Sequence, residues 1–412
     1  MRGSSLNTNS SQTRLPGTRY SVAQAVLCAM VALVLAALPF LKVAPNRLVS
    51  GESVSLASLL HGMWWLLAVP GLALVGLCVS KNHRIGLWLT MASAPILGCG
   101  LLALAASHAS FVAQTGTPLA RTSLGSGFWL GGVLLALVAA DALQRLRSGS
   151  AARMACAVVA ALLFFVLLAS GWCDDLSIMK EYANRSDVLV REIARHLQIV
   201  SAAVSLTLLV GLPLGWAAWR FARVGKALFP VLNIIQTIPS IALFGLLMAP
   251  LAWLAVAWPA GGRAGISGVG LVPGVIALVL YSLLPVVRGT LAGLEQVPSS
   301  VVQAAHGLGL TKAQAFWWVD VPLALPVVLG GVRTATIQAM GLAAVTALIG
   351  AGGLGSIMFE GLFSSAQDLV LLGVLPIIAL GVLSDGLFKG LIRLCNRYGP
   401  QDTKPGLRLE RT

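Results

Sequence analysis

The chain has 412 residues, of which 57% are hydrophobic and only 10% charged, with a mean hydropathy of +0.88 and a formal net charge of +14. So few charges cannot cover a water-facing surface, which excludes a soluble globular protein and makes the chain an integral membrane protein, with an all-α fold expected from the stretches below. The positive balance does not call for nucleic acid as a partner, because the basic residues are distributed around apolar stretches in a membrane pattern.

A helix needs about 20 mostly apolar residues to cross the hydrocarbon layer. About ten such stretches are predicted, at 22–43, 62–80, 85–106, 126–144, 153–173, 198–219, 228–254, 270–287, 325–348 and 369–388. Residues 1–21 form a polar tail with Arg14 and Arg19, compatible with the n-region of a signal peptide. The stretch that follows is long enough to span and no small-x-small site closes it, so an uncleaved first helix is expected. Residues 22–173 make an accessory region of five spans joined by short loops. The segment 174–196 is the longest charged one, carrying Asp174, Asp175, Glu181, Asp187 and Glu192 among four basic residues. Val188, Ile193 and Leu197 recur at helical spacing, which fits an amphipathic helix on the outer surface; a solvated linker fits as well.

A second set of five spans occupies 197–388. In the seventh span Gln236, Thr237, Pro239 and Ser240 form a polar patch interrupted by proline, and a freed backbone carbonyl is tolerated only against protein or beside a water-filled cavity. The patch therefore suits a translocation path, or a packing kink. Phe244, Tyr281, Trp253 and Trp258 are the aromatic faces of this region, and the two tryptophans also fit interfacial anchors. Arg333 stands inside the ninth span, where an arginine is costly unless paired, hydrated or reaching the interface, so it is expected to snorkel or to gate. Gly350, Gly352, Gly353 and Gly355 follow that span and permit tight turns or close helix approach.

The loop between the eighth and ninth spans is the most structured polar segment. Ser300 followed by Gln303, and Thr311 followed by Gln314, both fit the S/T-x-x-E/Q capping box, predicting two short helices. Gly307 and Gly309 between them supply a corner, and Pro322 and Pro326 mark the return to the membrane. His306 in this loop suits a pH-sensitive contact or a plain surface one.

Gln303-Ala304-Ala305, Gly309 and Val319-x-Val321-Pro322 together resemble the EAA motif of ABC-importer permeases, E-A-A-x3-G-x9-I-x-L-P, in register throughout. Glutamine replaces the motif's glutamate at 303, so a salt bridge from that position is not expected. The resemblance implies a coupling loop over 299–322, with Ser300, Gln303, Ala304, Ala305, Gly307, Gly309, Thr311, Gln314 and Pro322 facing a cytoplasmic ATPase. Asn233-Ile-Ile-Gln-Thr-Ile-Pro-Ser-Ile-Ala-Leu is similar to the permeases that import glycine betaine, carnitine or choline, as are Leu323 to Ala335 and Ile349-Gly-Ala-Gly-Gly-Leu-Gly355. It implies a C-terminal five-helix type-1 importer core and a path along Gln236, Thr237, Pro239, Ser240, Phe244, Tyr281, Arg333 and the glycines 350, 352, 353 and 355. The extra N-terminal spans resemble the longer osmoprotectant permeases.

With the N-terminus inside, 19 of the 28 basic residues fall on the cytoplasmic side and eight outside, with Arg333 in a span. By the positive-inside rule, both termini, the basic tail 389–412 and the 288–324 loop are cytoplasmic, in the bacterial inner membrane. No G-x4-G-K-[S/T] is present; Gly225-Lys226 is followed by Ala227. No H-E-x-x-H occurs and the five histidines, His61, His83, His108, His196 and His306, are isolated. The six cysteines lack C-x-x-C spacing and read as packing residues, with no metal site or disulfide framework. The chain is thus expected to hold no cofactor and to catalyse nothing, ATP and Mg belonging to a separate ATPase. With no fused receptor domain read before Thr412, a periplasmic binding protein is likewise expected as a separate partner, with a second permease chain, identical or homologous, and membrane lipids. The alternative is a secondary transporter or channel without an ATPase, against which stands the scarcity of intramembrane acids.

Overall fold

The computed structural model describes residues 22–46, 49, 51–60, 69, 71, 72, 74, 83–116, 119–146, 150–263 and 265–396. They fall into two compact units, residues 1–180 and 181–412. Among the described residues, seven helices are long and apolar enough to cross a membrane. The stretch predicted at 62–80 lies outside them apart from positions 69, 71, 72 and 74.

In the first unit, α1 (Val22–Ala37) is shorter than its hydrophobic stretch. Pro39 follows it, and the chain passes into β1 (Leu41–Ala44), which pairs antiparallel with β2 (Glu52–Val54) and β3 (Arg121–Leu124) in the order β2-β1-β3. The hydropathy of 22–43 thus covers a helix and most of a partly buried strand together, since an apolar run does not distinguish the two. After α2 (Leu56–Leu59) come α3 (His83–Thr115), α4 (Ser126–Arg145) and α5 (Ser150–Ala169). The sheet joins α4 tightly: the Gly125 and Gly127 N–H groups donate to the Phe40 and Pro39 carbonyls at 2.8 Å. A Cβ at Gly125 would lie 2.3 Å from the Pro39 oxygen, so no larger residue fits there. Phe40 is fully buried, edge-on to Phe128, in a core with Leu41, Leu101, Val138 and Leu176. Cys173 is buried in the same core.

The segment expected to lie as a separate surface helix or linker is part of α6 (Ser177–Arg220), a 44-residue helix that kinks at Arg185, whose φ is −136° and ψ 20°. In the second unit it is followed by α7 (Ala222–Thr237), α8 (Ser240–Ala257), α9 (Pro259–Arg263) and α10 (Leu271–Glu295). The seventh predicted span is therefore two helices. Then come α11 (Ser299–Gly307), α12 (Lys312–Ala315), a π-helical turn (Phe316–Asp320) and α13 (Val321–Leu342). A 3-10 turn (Val345–Ile349), α14 (Leu354–Phe363) and α15 (Gln367–Asn396) complete the unit.

Without a hydrophobic drive between helices in lipid, close backbone approach through small residues holds such a bundle together. Helices α10 and α13 meet at Gly289 and Gly331, where a Cβ on Gly289 would sit 2.8 Å from the Gly331 Cα. Ile199, Ala203, Leu278, Ala339 and Ala343 pack α6, α10 and α13 into one buried cluster. Leu189, Leu354, Ile357 and Leu369 pack α6 against α14 and α15.

Candidate functional site

Helix α11 begins after Pro298, whose φ of −64° and missing N–H suit a helix start, and no side chain caps it. Ser300 lies one residue inside the helix, so the capping box expected from Ser300 and Gln303 is not formed. The second box is formed: the Gln314 N–H donates to Thr311 Oγ1 at 3.3 Å and the Thr311 N–H donates to Gln314 Oε1 at 2.9 Å. Between the two helices Gly309 turns the chain at φ +88°, and its N–H donates to the His306 carbonyl at 2.9 Å. Ala305 and Ala315 are buried and seat the segment, whereas Gln303, Ala304, Gly307 and Gln314 are exposed. Leu308, 83% exposed, is the apolar tip of the corner. Pro322 enters α13 at its second position, and having no N–H it cannot bond back to Trp318; the turn before it is the wide π-helical one. A cavity of about 950 Å³ opens behind the segment, lined by Trp216, Trp219, Leu294, Phe316, Asp320 and Leu325 among others.

The polar patch is a break in the backbone. Helix α7 ends at Thr237, Ile238 and Pro239 are extended, and α8 starts at Ser240. Tyr281 of α10 donates its hydroxyl to the Ile238 carbonyl, which the break leaves without a helical partner. Gln236 Nε2 donates to the Tyr281 carbonyl at 2.6 Å, while the Thr237 hydroxyl turns back to the Ile234 carbonyl at 2.7 Å. Phe244 and Tyr281 share one buried cluster with Leu243 and Ala277. Trp253 and Trp258 stand apart from it, 71% and 54% exposed. The four aromatic residues do not converge on one face.

Arg333 is paired within its bundle. Its Nε donates to Asp385 Oδ1 of α15 at 2.5 Å, and Lys389 Nζ approaches Asp385 Oδ2 at 2.6 Å. Two cations share one carboxylate, which is how a charge becomes tolerable within a span. Asp385→Asn is expected to lower stability by roughly 1.5–3 kcal/mol, the value of a hydrogen bond to a charged group. Exchanging the pair, Arg333→Asp with Asp385→Arg, is expected to recover part of it in a thermal melt of detergent-solubilised protein.

The glycines after α13 form a loop held from α6. Gly350, Gly352 and Gly353 have φ of +80°, +84° and +87°. Glu192 Oε2 accepts the Gly353 N–H at 2.6 Å, and Arg195 Nε donates to the Ala351 carbonyl at 2.9 Å. His196, fully buried, bonds the Met340 carbonyl through Nε2 at 3.1 Å, and Arg185 reaches Glu360 of α14 at 2.7 Å. Gly355 has no positive φ; it is required by space, since a Cβ there would lie 1.9 Å from the Ala344 carbonyl oxygen. Sequence reasoning overlooked Glu192, Arg195, His196 and Asp385. The spacing of Glu192, Arg195 and His196, at i, i+3 and i+4, places them along one helix face and was the available signal.

Residues 208–395 match the model of the binding-protein-dependent transport system inner membrane component family, and residues 19–179 match that of the N-terminal domain of the ABC transporter permease YehY. The osmoprotectant import permease protein OsmW of Salmonella typhimurium (strain LT2) is 39% identical over 48% of this chain and 86% of its own length. The chain belongs to the binding-protein-dependent ABC permeases. The glycine betaine/carnitine/choline transport system permease protein OpuCB of Bacillus subtilis (strain 168) is 33% identical over 48% of this chain and 83% of its own. A chain of the MetNI methionine ABC transporter, solved in inward-facing conformations, is 22% identical with a TM-score of 0.44, over 50% of this chain and 95% of that one. As an ABC permease the chain is a multi-pass inner-membrane transport component, one that works with a substrate-binding protein and an ATPase.

Proposed function

We propose that this permease is the membrane subunit of an ATP-driven importer that carries glycine betaine, choline or a related osmoprotectant from periplasm to cytoplasm. The observation that carries the coupling role is the exposed, capped corner of 299–322, whose Gln303, Ala304, Gly309 and Pro322 stand where the EAA motif places them. The cargo class is supported by the relatives, which are named as permeases for osmoprotectants and for glycine betaine, carnitine and choline. ATP and Mg bind in a separate ATPase, and a second permease chain, identical or homologous, completes the pathway. Both termini and the coupling segment face the cytoplasm, as the distribution of basic residues favours.

ATP-driven closure of the ATPase pair pushes on α11 and α12, and the turn before Pro322 passes the movement into α13. The cargo path runs beside the α7–α8 break. Opposed helix ends there present carbonyl dipoles from Gln236 and Thr237 and N–H dipoles at Ser240, which suits a zwitterion. Tyr281 holds the break open by satisfying the Ile238 carbonyl, and Phe244 backs it with apolar surface. Proteoliposomes containing the permease with its ATPase are expected to accumulate labelled glycine betaine or choline only with ATP inside and the binding protein outside. Accumulation that ignores ATP would refute this function.

A further inference from the structure

The coupling segment and the glycine loop lie at opposite ends of the same helix. Helix α13 has 22 residues and is about 33 Å long, enough to cross the membrane. Its first residue follows the π-helical turn of the coupling segment, and its last leads through a 3-10 turn into Gly350. At that far end α6 holds it by three polar contacts within two helical turns: His196 to the Met340 carbonyl, Arg195 to the Ala351 carbonyl and Glu192 to the Gly353 N–H.

The contacts are specific to a glycine backbone. The positive φ at 350, 352 and 353 turns the Ala351 carbonyl and the Gly353 N–H toward α6, a conformation that side chains resist. A Cβ at Gly353 would also stand 3.3 Å from His196 Nδ1, and one at Gly352 3.3 Å from Arg195 Cγ. His196 donates through Nε2, which leaves Nδ1 as the lone-pair nitrogen; it is buried and has no hydrogen-bond partner among the described residues. Two of the three contacts are charge-assisted and therefore worth more than neutral ones. A loop built only to reverse the chain needs neither a carboxylate nor a guanidinium from a helix some 160 residues away in sequence.

We infer that Glu192, Arg195 and His196 are positioning residues that clamp the glycine loop and the end of α13 to α6, so that movement started at the coupling segment opens the outer end of the path. The inference rests on the importer reading. With the clamp loosened, the push on α13 is spent in the loop, and ATP is hydrolysed without cargo being moved.

The test uses the permease with its ATPase and binding protein in proteoliposomes, and reads glycine betaine moved per ATP hydrolysed. Glu192→Ala is expected to lower that ratio about tenfold, the scale of one charge-assisted hydrogen bond, while hydrolysis continues. Glu192→Gln keeps an oxygen acceptor for the Gly353 N–H and is expected to stay within about threefold of the parent. A second readout needs no cargo. Ser356→Cys, in the first turn after the loop, is labelled from outside with a membrane-impermeant maleimide, and its rate is expected to rise about tenfold when Glu192→Ala is added. An unchanged rate, or a faster rate with an unchanged cargo-to-ATP ratio, overturns the clamp. A parent complex that moves no cargo overturns the importer reading instead, and the labelling comparison still decides whether Glu192 holds the loop.

Discussion

Replacing Gly309 by leucine is expected to abolish cargo uptake while the folded permease persists in the membrane at the parental level. The corner adopts φ +88°, and, its chain neighbours aside, no atom of the described residues lies within 4 Å of where a Cβ would stand. The fold therefore meets no clash, only the backbone cost of a left-handed residue, about 1–2 kcal/mol. That cost falls on the angle between α11 and α12. It shifts the exposed residues the ATPase must grip, and the new side chain projects into the same surface. Paired measurements of ATP-driven uptake and of the monodisperse peak in size-exclusion chromatography check this. Uptake at the parental rate would remove the coupling role from the segment.

Replacing Gly355 by leucine is expected to have the opposite signature, loss of the folded protein itself. A Cβ there would sit 1.9 Å from the Ala344 carbonyl oxygen and 2.6 Å from its carbon, both backbone atoms that cannot rotate away. Overpacking a core typically costs about 1–3 kcal/mol when side chains yield. Here α14 must part from the end of α13, so the effect is expected at or above that range. Gly386→Leu on α15, where a Cβ would meet no described atom within 4 Å beyond its own helix backbone, is the matched control and is expected to leave the thermal midpoint and the yield unchanged. Equal yields of the two variants would contradict the packing described for α14.

The capped corner within 299–322 was legible because its signals are local: Thr311 and Gln314 are three residues apart and Gly309 sits between two short helices. Even there Ser300 misled, since Pro298 starts the helix two residues earlier and a proline start competes with a serine cap. The α7–α8 break was foreseen as a proline interruption, but not the Tyr281 and Gln236 bonds that satisfy it, which join residues 43 to 45 positions apart. Glu192 and Arg195 read as solvated because their partners are backbone groups of a glycine loop, and backbone partners leave no trace in composition. Asp385 stands among leucines and glycines; its i,i+4 spacing to Lys389 is local, but its ion pair with Arg333 joins residues 52 positions apart. The strands β1, β2 and β3 are three or four residues long, too short for a period of two to stand out against neighbouring membrane helices.

The central claim is that this permease is driven by a nucleotide-hydrolysing partner gripping residues 299–322. Its most direct test is to purify the chain from its native membrane in mild detergent, identify what accompanies it, and assay hydrolysis with and without glycine betaine and the binding protein. The account predicts a co-purifying P-loop ATPase whose hydrolysis rises with loaded binding protein, and whose association is lost in Gly309→Leu. A pure chain that moves cargo across a membrane with no ATPase present would contradict it.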